Sequence, residues 1–129
     1  MFTWAAYLAS DYILVPVKPE YLSSIGLPLL VNSMDEFRKR YEDHNLELAG
    51  IVFNFPSGYV PEEIISKAEV KKDAQKYGWY VFENEVSYSR SYPKGAREGK
   101  PIFNTSYARG VQADRFSAFA EEFAQRISL

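Results

Sequence analysis

The sequence predicts an α/β fold with a short, mainly parallel sheet of about three strands flanked by helices. Three short apolar segments alternate along the chain with longer segments of helical periodicity. The connections between these strand segments are 30 and 25 residues long. Connections of this length that contain a helix produce right-handed βαβ units, and the strands they join are parallel.

The predicted strands cover residues 12–17, 48–53 and 79–82. Each is a continuous apolar run without polar alternation, as expected in a parallel sheet that is covered by helices on both faces. Pro16 cannot donate a hydrogen bond to a neighbouring strand. We therefore expect Pro16 to lie where the first strand leaves the sheet.

Four helices are predicted, over residues 3–10, 22–43, 61–77 and 111–127. The second is expected to begin at a cap formed by Ser23 or Ser24. Its apolar residues recur every three to five positions and predict one buried stripe: Ile25, Leu29, Leu30, Met34, Phe37 and Tyr41.

The third and fourth predicted helices have clear local signals. Pro61 suits the first position of a helix, and Gly78 suits the position after its end. The last helix carries the most regular apolar stripe in the sequence: Phe116, Phe119, Ala120, Phe123 and Ile127.

Residues 84–110 follow neither period, and we expect an irregular, functional or mobile segment there. From Arg90 to Arg109 this segment is basic, with one anion, Glu98, among five cations: Arg90, Lys94, Arg97, Lys100 and Arg109.

Composition indicates one domain over residues 1–129. The chain has no cysteine, which excludes disulfides, thiolate metal sites and thiol catalysis. Its net charge is −2, so no overall positive field draws it to nucleic acid. The N-terminus has no signal-peptide pattern, and no apolar run is long enough to span a membrane. We expect a soluble, cytoplasmic protein.

Three segments together resemble the C-terminal half of ParA/MinD-type (Soj-like) partition ATPases, which act in chromosome and plasmid partition. Residues 9–27 resemble the strand and helix that follow the Walker B motif of that family. Residues 48–54 resemble the next strand, which ends in a purine-contacting residue in part of the superfamily. Residues 98–102, Ser106 and the last helix resemble the closing Gly-Lys-Pro-Ile loop and final helix.

The resemblance covers essentially the whole chain and implies an incomplete doubly wound, Rossmann-like P-loop NTPase fold. However, no Gly-x-x-x-x-Gly-Lys-Ser/Thr motif occurs in the sequence. The Walker B aspartate of the family would lie before residue 1. Phosphoryl transfer depends on the groups that surround the phosphates. We therefore expect a fragment that is not an enzyme by itself and has no cofactor, although the intact family uses ATP and magnesium.

The resemblance also implies a residual adenine pocket. Asn54 would read the base at the end of the second strand, and Ser91, Tyr92 and Pro93 would form a loop around the adenine. The alternatives are a turn that begins at Asn54 and a plain surface turn at residues 91–93.

The basic residues Arg90, Lys94, Arg97 and Lys100 are candidates for binding DNA without sequence preference, as partition ATPases of this type do. The alternative is a solvated loop. His44 is expected at a solvated helix end. Among the acidic pairs, Glu62 and Glu63 suit a helix N-terminus, and Glu121 and Glu122 suit a solvated face. We expect no metal site.

We expect a homo-oligomer, most simply a dimer, because the edge of the first strand would be open. The alternative function is a binding module that docks on DNA or on an intact ParA-type ATPase. A third possibility is an unrelated flavodoxin-like enzyme, but residues 18–24 lack the usual glycines or the hydroxyl-rich run of a phosphate-binding loop.

Overall fold

The computed structural model describes residues 2–54, 60–105 and 110–128. Within these ranges, helices and parallel strands alternate in the predicted order. The elements are α1 (Phe2–Leu8), β1 (Tyr12–Val17), α2 (Tyr21–Arg40), β2 (Glu47–Phe53), α3 (Pro61–Tyr77), α4 (Ser91–Glu98), a 3-10 helix (Ile102–Asn104) and α5 (Gly110–Arg126). Ser106, which is part of the family resemblance, and Arg109, one of the five cations, lie outside the described ranges.

The sheet consists of β1 and β2, which are parallel. The third predicted strand, residues 79–82, is wrong as a continuous strand. It meets β2 through isolated parallel bridges, from Ile51 to Val81 and from Asn54 to Val86. The backbone of Ile51 donates to Tyr80 and accepts from Phe82, so this segment runs along the edge of β2 opposite β1. The chain bends between the two bridges, and the bend interrupts the ladder.

A bulge in β2 lets the third segment, residues 79–82, approach that strand closely. The register shifts between Ile13 and Leu14, and Gly50 at the shift has a φ of 152°. A Cβ at Gly50 would lie 2.7 Å from a ring carbon of Phe82 and 2.8 Å from the carbonyl oxygen of Tyr80. Only glycine therefore fits where the third segment approaches β2.

Three buried clusters hold the helices on the sheet. The first cluster packs one face of the sheet against α2 and α3, and the second joins α1 to α2. In the third, α5 covers β2 and the third segment on the other face of the sheet. The respective cluster members are Val17, Leu27, Ile51, Phe53, Val70 and Ala74; Tyr7, Met34, Phe37 and Leu46; and Val52, Phe82 and Phe119.

β1 is covered on one face only, contrary to the sequence expectation. Tyr12, Leu14 and Pro16 share the face that α5 covers at Val52, but all three are exposed. Pro16 lies inside β1, opposite Val52, and not where the strand leaves the sheet. It is tolerated because β1 has no further partner among the described residues, so its missing N–H falls on an open edge.

The predicted buried stripe of α2 is partly wrong. Met34 and Phe37 are buried, together with Leu27, but Ile25 and Leu29 are exposed on the opposite side. The helix therefore has two apolar faces, and the regular spacing of apolar residues does not reveal which face is buried. A serine cap is also wrong, because Glu20 occupies the cap position and no side chain caps the helix.

The segment after the third strand is more regular than expected, since residues 91–98 and 102–104 are helical. Pro93 lies in the first turn of α4, where a backbone N–H has no partner within the helix. Gly95 lets the chain fold back, because a Cβ there would lie 2.7 Å from the carbonyl oxygen of Lys100. Gly99 then ends the helix in the left-handed conformation.

Several local predictions are confirmed. Pro61 begins α3, and Gly78 ends it in the left-handed conformation. β1 has the predicted bounds, and the bounds of β2, of α5 and of the start of α1 differ from the predictions by a single residue. In the part of the chain that the structure describes, no helix combines the length and apolar character needed to cross a membrane.

Candidate functional site

The carboxyl ends of the parallel segments meet at Asn54. Its backbone N–H donates to the carbonyl oxygen of Val17 at 2.8 Å, and Asn54 also pairs with Val86. The N–H of Val86 donates to Phe53 at 3.0 Å. The backbone thus fixes the half-buried Asn54 at the centre of the edge where open α/β sheets bind ligands.

Two lysines near this edge are paired with carboxylates of the same chain. The Nζ of Lys67 lies 2.6 Å from Glu85, and the Nζ of Lys18 lies 2.7 Å from Glu20. Lys67 also lies 5.4 Å from the centre of the Phe53 ring. The hydrogen bond to Glu20 raises the pKa of Lys18. Both ammonium groups already have a counter-charge, which weakens them as ligands for phosphate.

The three residues of the predicted adenine loop form the first turn of α4. Ser91 is buried, and its N–H donates to the Oγ of Ser89 at 3.1 Å. The ring of Tyr92 lies edge-on to Phe116 at 6.2 Å, and burial raises the pKa of Tyr92. Pro93 is exposed. Tyr92 is therefore used in packing α4 against α5.

A cavity of about 370 Å³ opens beside this turn, lined by Tyr88, Ser89, Arg90, Ser91 and Gln112. The Oε1 of Gln112 is buried and has no hydrogen-bond partner among the residues that the structure describes. A buried acceptor without a donor is unfavourable, and a ligand N–H would satisfy it. Asn54, Tyr92 and Pro93 are not among the lining residues, so Ser91 alone links the cavity to the predicted pocket. No pattern in the sequence points to Gln112.

The predicted DNA-binding residues lie on α4 or directly beside its ends. Arg90, Lys94 and Arg97 are four and three positions apart, which places them on one side of the helix. Arg90 and Arg97 are exposed and Lys94 is half-buried. Lys100 follows the helix and is also exposed. The four cations form a basic face, here defined as Arg90, Lys94, Arg97 and Lys100.

Glu122 is not on a solvated face, as the sequence suggested. Its carboxylate accepts hydrogen bonds from the hydroxyl of Tyr80 at 2.6 Å, from the backbone of Glu83 and Asn84 at 2.9 Å each, and from the side-chain amide of Asn84 at 2.8 Å. These bonds hold the bend at residues 83–84, which follows the third segment. The hydrogen bond to Glu122 raises the pKa of Tyr80 to about 12.

His44 is not solvated either. Its Nε2 lies 2.9 Å from the carbonyl oxygens of both Tyr7 and Ser10, and its ring is edge-on to Phe37. It fastens the end of α1 to α2, which is a structural role. Across residues 2–54, 60–105 and 110–128, no cluster of three or more histidine or acidic side chains is arranged to hold a metal ion.

Comparison with known proteins gives distant relatives. No family model matches the chain. It is similar to an uncharacterised protein of Methanocaldococcus jannaschii, with 27% identity over 121 residues, which are 94% of this chain and 45% of that protein. It is also similar to an uncharacterised protein of Mycobacterium tuberculosis H37Rv, with 26% identity over 93% of this chain and 36% of that protein. The chain therefore spans less than half the length of these relatives.

Proposed function

We propose that this chain is the C-terminal portion of a ParA-like partition ATPase fold, with the base-binding part of a nucleotide site and no ATPase activity of its own. The proposal includes a cytoplasmic location, with which the absence of cysteine is consistent. The observation that carries the proposal is the position of Asn54 at the centre of the carboxyl edge of the parallel segments.

An asparagine at this position suits a purine. Its side-chain amide offers both a donor and an acceptor, which matches an adenine edge. Its backbone is held between Val17 and Val86, so the side chain begins from a fixed point. Pre-organisation of this kind lowers the entropy lost on binding.

The charges around the edge argue against catalysis by the chain alone. Lys18 and Lys67, the lysines described near Asn54, are each paired with a glutamate. The sequence has no P-loop motif to supply a ring of backbone donors. Removing a single donor of this kind typically costs about 100- to 1000-fold in rate. Without the whole set, binding would depend on the base and not on the phosphates.

This difference gives a direct test. Adenosine, ATP with magnesium and guanosine are titrated separately into the purified chain by calorimetry. We expect adenosine and ATP to bind with dissociation constants within about threefold of each other, near the millimolar range, and guanosine to bind at least tenfold more weakly. No phosphate should be released from ATP above the rate in buffer.

The matched variants are Asn54→Ala and Asn45→Ala. Asn45 is exposed and lies just before β2, at the opposite end of the strand from Asn54. We expect Asn54→Ala to weaken adenosine binding at least tenfold and Asn45→Ala to leave it unchanged. If adenosine does not bind, or if both variants bind it as the natural chain does, the proposal is wrong. Hydrolysis of ATP that survives repurification would refute the non-catalytic part.

The alternative is a module that binds DNA or an intact ParA-type ATPase. The specific observation in its favour is the basic face, where Arg90 at the start of α4 is aligned with Lys94 and Arg97 on the helix, and Lys100 follows it. The single anion among them in sequence, Glu98, is half-buried and lies four positions after Lys94, at the border of this side of the helix. A DNA backbone could follow such a face without sequence preference.

A further inference from the structure

α2 has a second apolar face that the rest of the described chain leaves uncovered. Leu27, Met34 and Phe37 are buried against the sheet and α1. On the opposite side, Leu22, Ile25 and Leu29 are 77%, 47% and 67% exposed. They are three and four positions apart, so they form one stripe of about two turns. A helix that is apolar on both sides is typical of one that is buried on both sides.

The stripe continues onto α3. The Oγ of Ser24 hydrogen-bonds to Glu69 at 3.2 Å, which fixes the two helices side by side. About one turn before this contact, each helix has a large exposed apolar residue, Tyr21 at 65% and Ile65 at 52%. We define the outer patch by the members of both helices: Tyr21, Leu22, Ile25, Leu29 and Ile65.

The area of the outer patch suits a protein interface. A fully exposed apolar side chain offers on the order of 100 Å² or more, so the patch exposes roughly 300–400 Å². Two such patches in contact would bury roughly 600–800 Å² of apolar surface. Small stable interfaces bury about 1,200 Å² in total, of which somewhat more than half is apolar. Two copies of the patch therefore meet this requirement.

The charges beside the patch are self-complementary. A groove of about 610 Å³ between α2 and α3 is lined by Tyr21, Ser24, Ile25 and four charged residues of α3: Glu69, Lys72, Asp73 and Lys76. Acids and bases alternate along this row, so a second copy related by a two-fold axis can place its acids against these bases. The net charge of −2 gives little repulsion between copies.

We infer that the chain forms a two-fold symmetric dimer in which the outer patches of two copies pack together. The occupant is a second copy because an isologous interface needs one surface that complements itself in shape and charge. The groove beside the patch is lined by two acids and two bases, whereas a dedicated partner of one charge would be repelled by half of them. This interface uses neither Asn54 nor the basic face, so it is independent of the proposed function.

Sedimentation velocity over a range of protein concentrations, without nucleotide or DNA, tests the inference. We expect a concentration-dependent dimer that Ile25→Glu dissociates, raising the dissociation constant at least roughly 100-fold, because two buried charges would face each other. Val111→Glu is the matched control: Val111 is 62% exposed and lies on α5, across the sheet from α2. It should dimerise like the natural chain.

A cross-linking experiment checks the geometry with a milder change. Because the chain has no cysteine, the variants Ile25→Cys and Val111→Cys each carry a single thiol, and a bis-maleimide can link it only to another copy. We expect cross-linked dimer from Ile25→Cys and not from Val111→Cys. A monomeric natural chain, an Ile25→Glu variant that dimerises with unchanged affinity, or equal cross-linking of the two thiol variants would overturn the inference. A monomer would instead assign the outer patch to a different polypeptide.

Discussion

The hydroxyl of Tyr80 lies 2.6 Å from the Oε2 of Glu122, and this hydrogen bond joins the third β segment to α5. The same carboxylate accepts three further hydrogen bonds from Glu83 and Asn84. The guanidinium of Arg126, one turn later on α5, stacks over the Tyr80 ring at 4.9 Å and donates to the carbonyl oxygen of Ala49. One side of α5 thus fastens the bend after the third segment and the bulge of β2.

Replacing Glu122 should therefore destabilise the chain. In Glu122→Gln, one carboxylate oxygen becomes an NH2 group, which cannot accept the bonds from Tyr80 and Glu83. We expect the free energy of unfolding to fall by about 2 kcal/mol, the typical contribution of hydrogen bonds to a charged group. Urea denaturation followed by circular dichroism measures it. The control is Glu121→Gln at an exposed neighbour, which should change stability by less than about 0.5 kcal/mol. Equal effects of the two changes would contradict this role.

The same carboxylate should make stability depend on pH in the acid range. Partial burial alone would raise the pKa of Glu122, but the hydrogen bonds from Tyr80, Asn84 and Glu83 outweigh burial and lower the pKa below its ordinary value of 4.5. The stabilisation is therefore complete above pH 4.5 and is lost as the pH falls through the lower pKa of the folded chain.

Stability curves measured from neutral pH downwards should show this loss. The difference in unfolding free energy between the natural chain and Glu122→Gln should be constant near neutrality and shrink below pH 4.5. A difference that stays the same down to the acid unfolding transition would show that the carboxylate charge is not what matters.

Much of the fold could be predicted because its signals are local. Pro61 and Gly78 mark the two ends of α3, and the continuous apolar run of β1 sets its bounds. Residues 91–98 were missed because Pro93 and Gly95 are poor helix formers in isolation. The close approach of Lys100 and Thr105, which requires a glycine at position 95, is visible only in three dimensions.

The candidate site likewise contains residues with a local sequence signal and residues without one. The position of Asn54 at the sheet edge is predictable because it directly follows an apolar strand, and strand ends in parallel sheets meet at one edge. Glu122 was assigned to a solvated face because its partner Tyr80 is 42 residues away. Gln112 had no local signal at all. In α2, spacing alone identified apolar residues such as Ile25 but could not separate the two faces of a helix that is apolar on both.

The close contact at Gly50 gives a further prediction. Gly50→Ala would place a Cβ against Phe82 and Tyr80 in a backbone conformation that side chains rarely adopt. We expect a loss of about 3 kcal/mol in unfolding free energy. Gly26→Ala is the matched control, because Gly26 is inside α2 and a Cβ there meets no atom within 4 Å. It should stabilise the chain by about 0.5–1 kcal/mol. Similar effects of the two substitutions would show that the bulge tolerates a side chain.

The basic face predicts how any DNA binding should respond to salt. If three or four phosphates are neutralised, the logarithm of the binding constant falls with the logarithm of salt concentration with a slope of about −3. Between 50 and 200 mM salt, affinity for duplexes of unrelated sequence should therefore drop roughly 50-fold. Fluorescence anisotropy with labelled duplexes measures both the slope and the lack of sequence preference.

A pair of triple variants separates the basic face from overall charge. Arg90→Ala/Lys94→Ala/Arg97→Ala should abolish most binding and flatten the salt slope towards −1, because Lys100 alone remains. Lys39→Ala/Arg40→Ala/Lys71→Ala removes the same number of charges from exposed positions of α2 and α3 outside the outer patch and its groove and should keep the steep slope. Equal losses in the two variants would mean that DNA responds to net charge alone. Binding that is unchanged by the α4 variant would eliminate the basic face as its site.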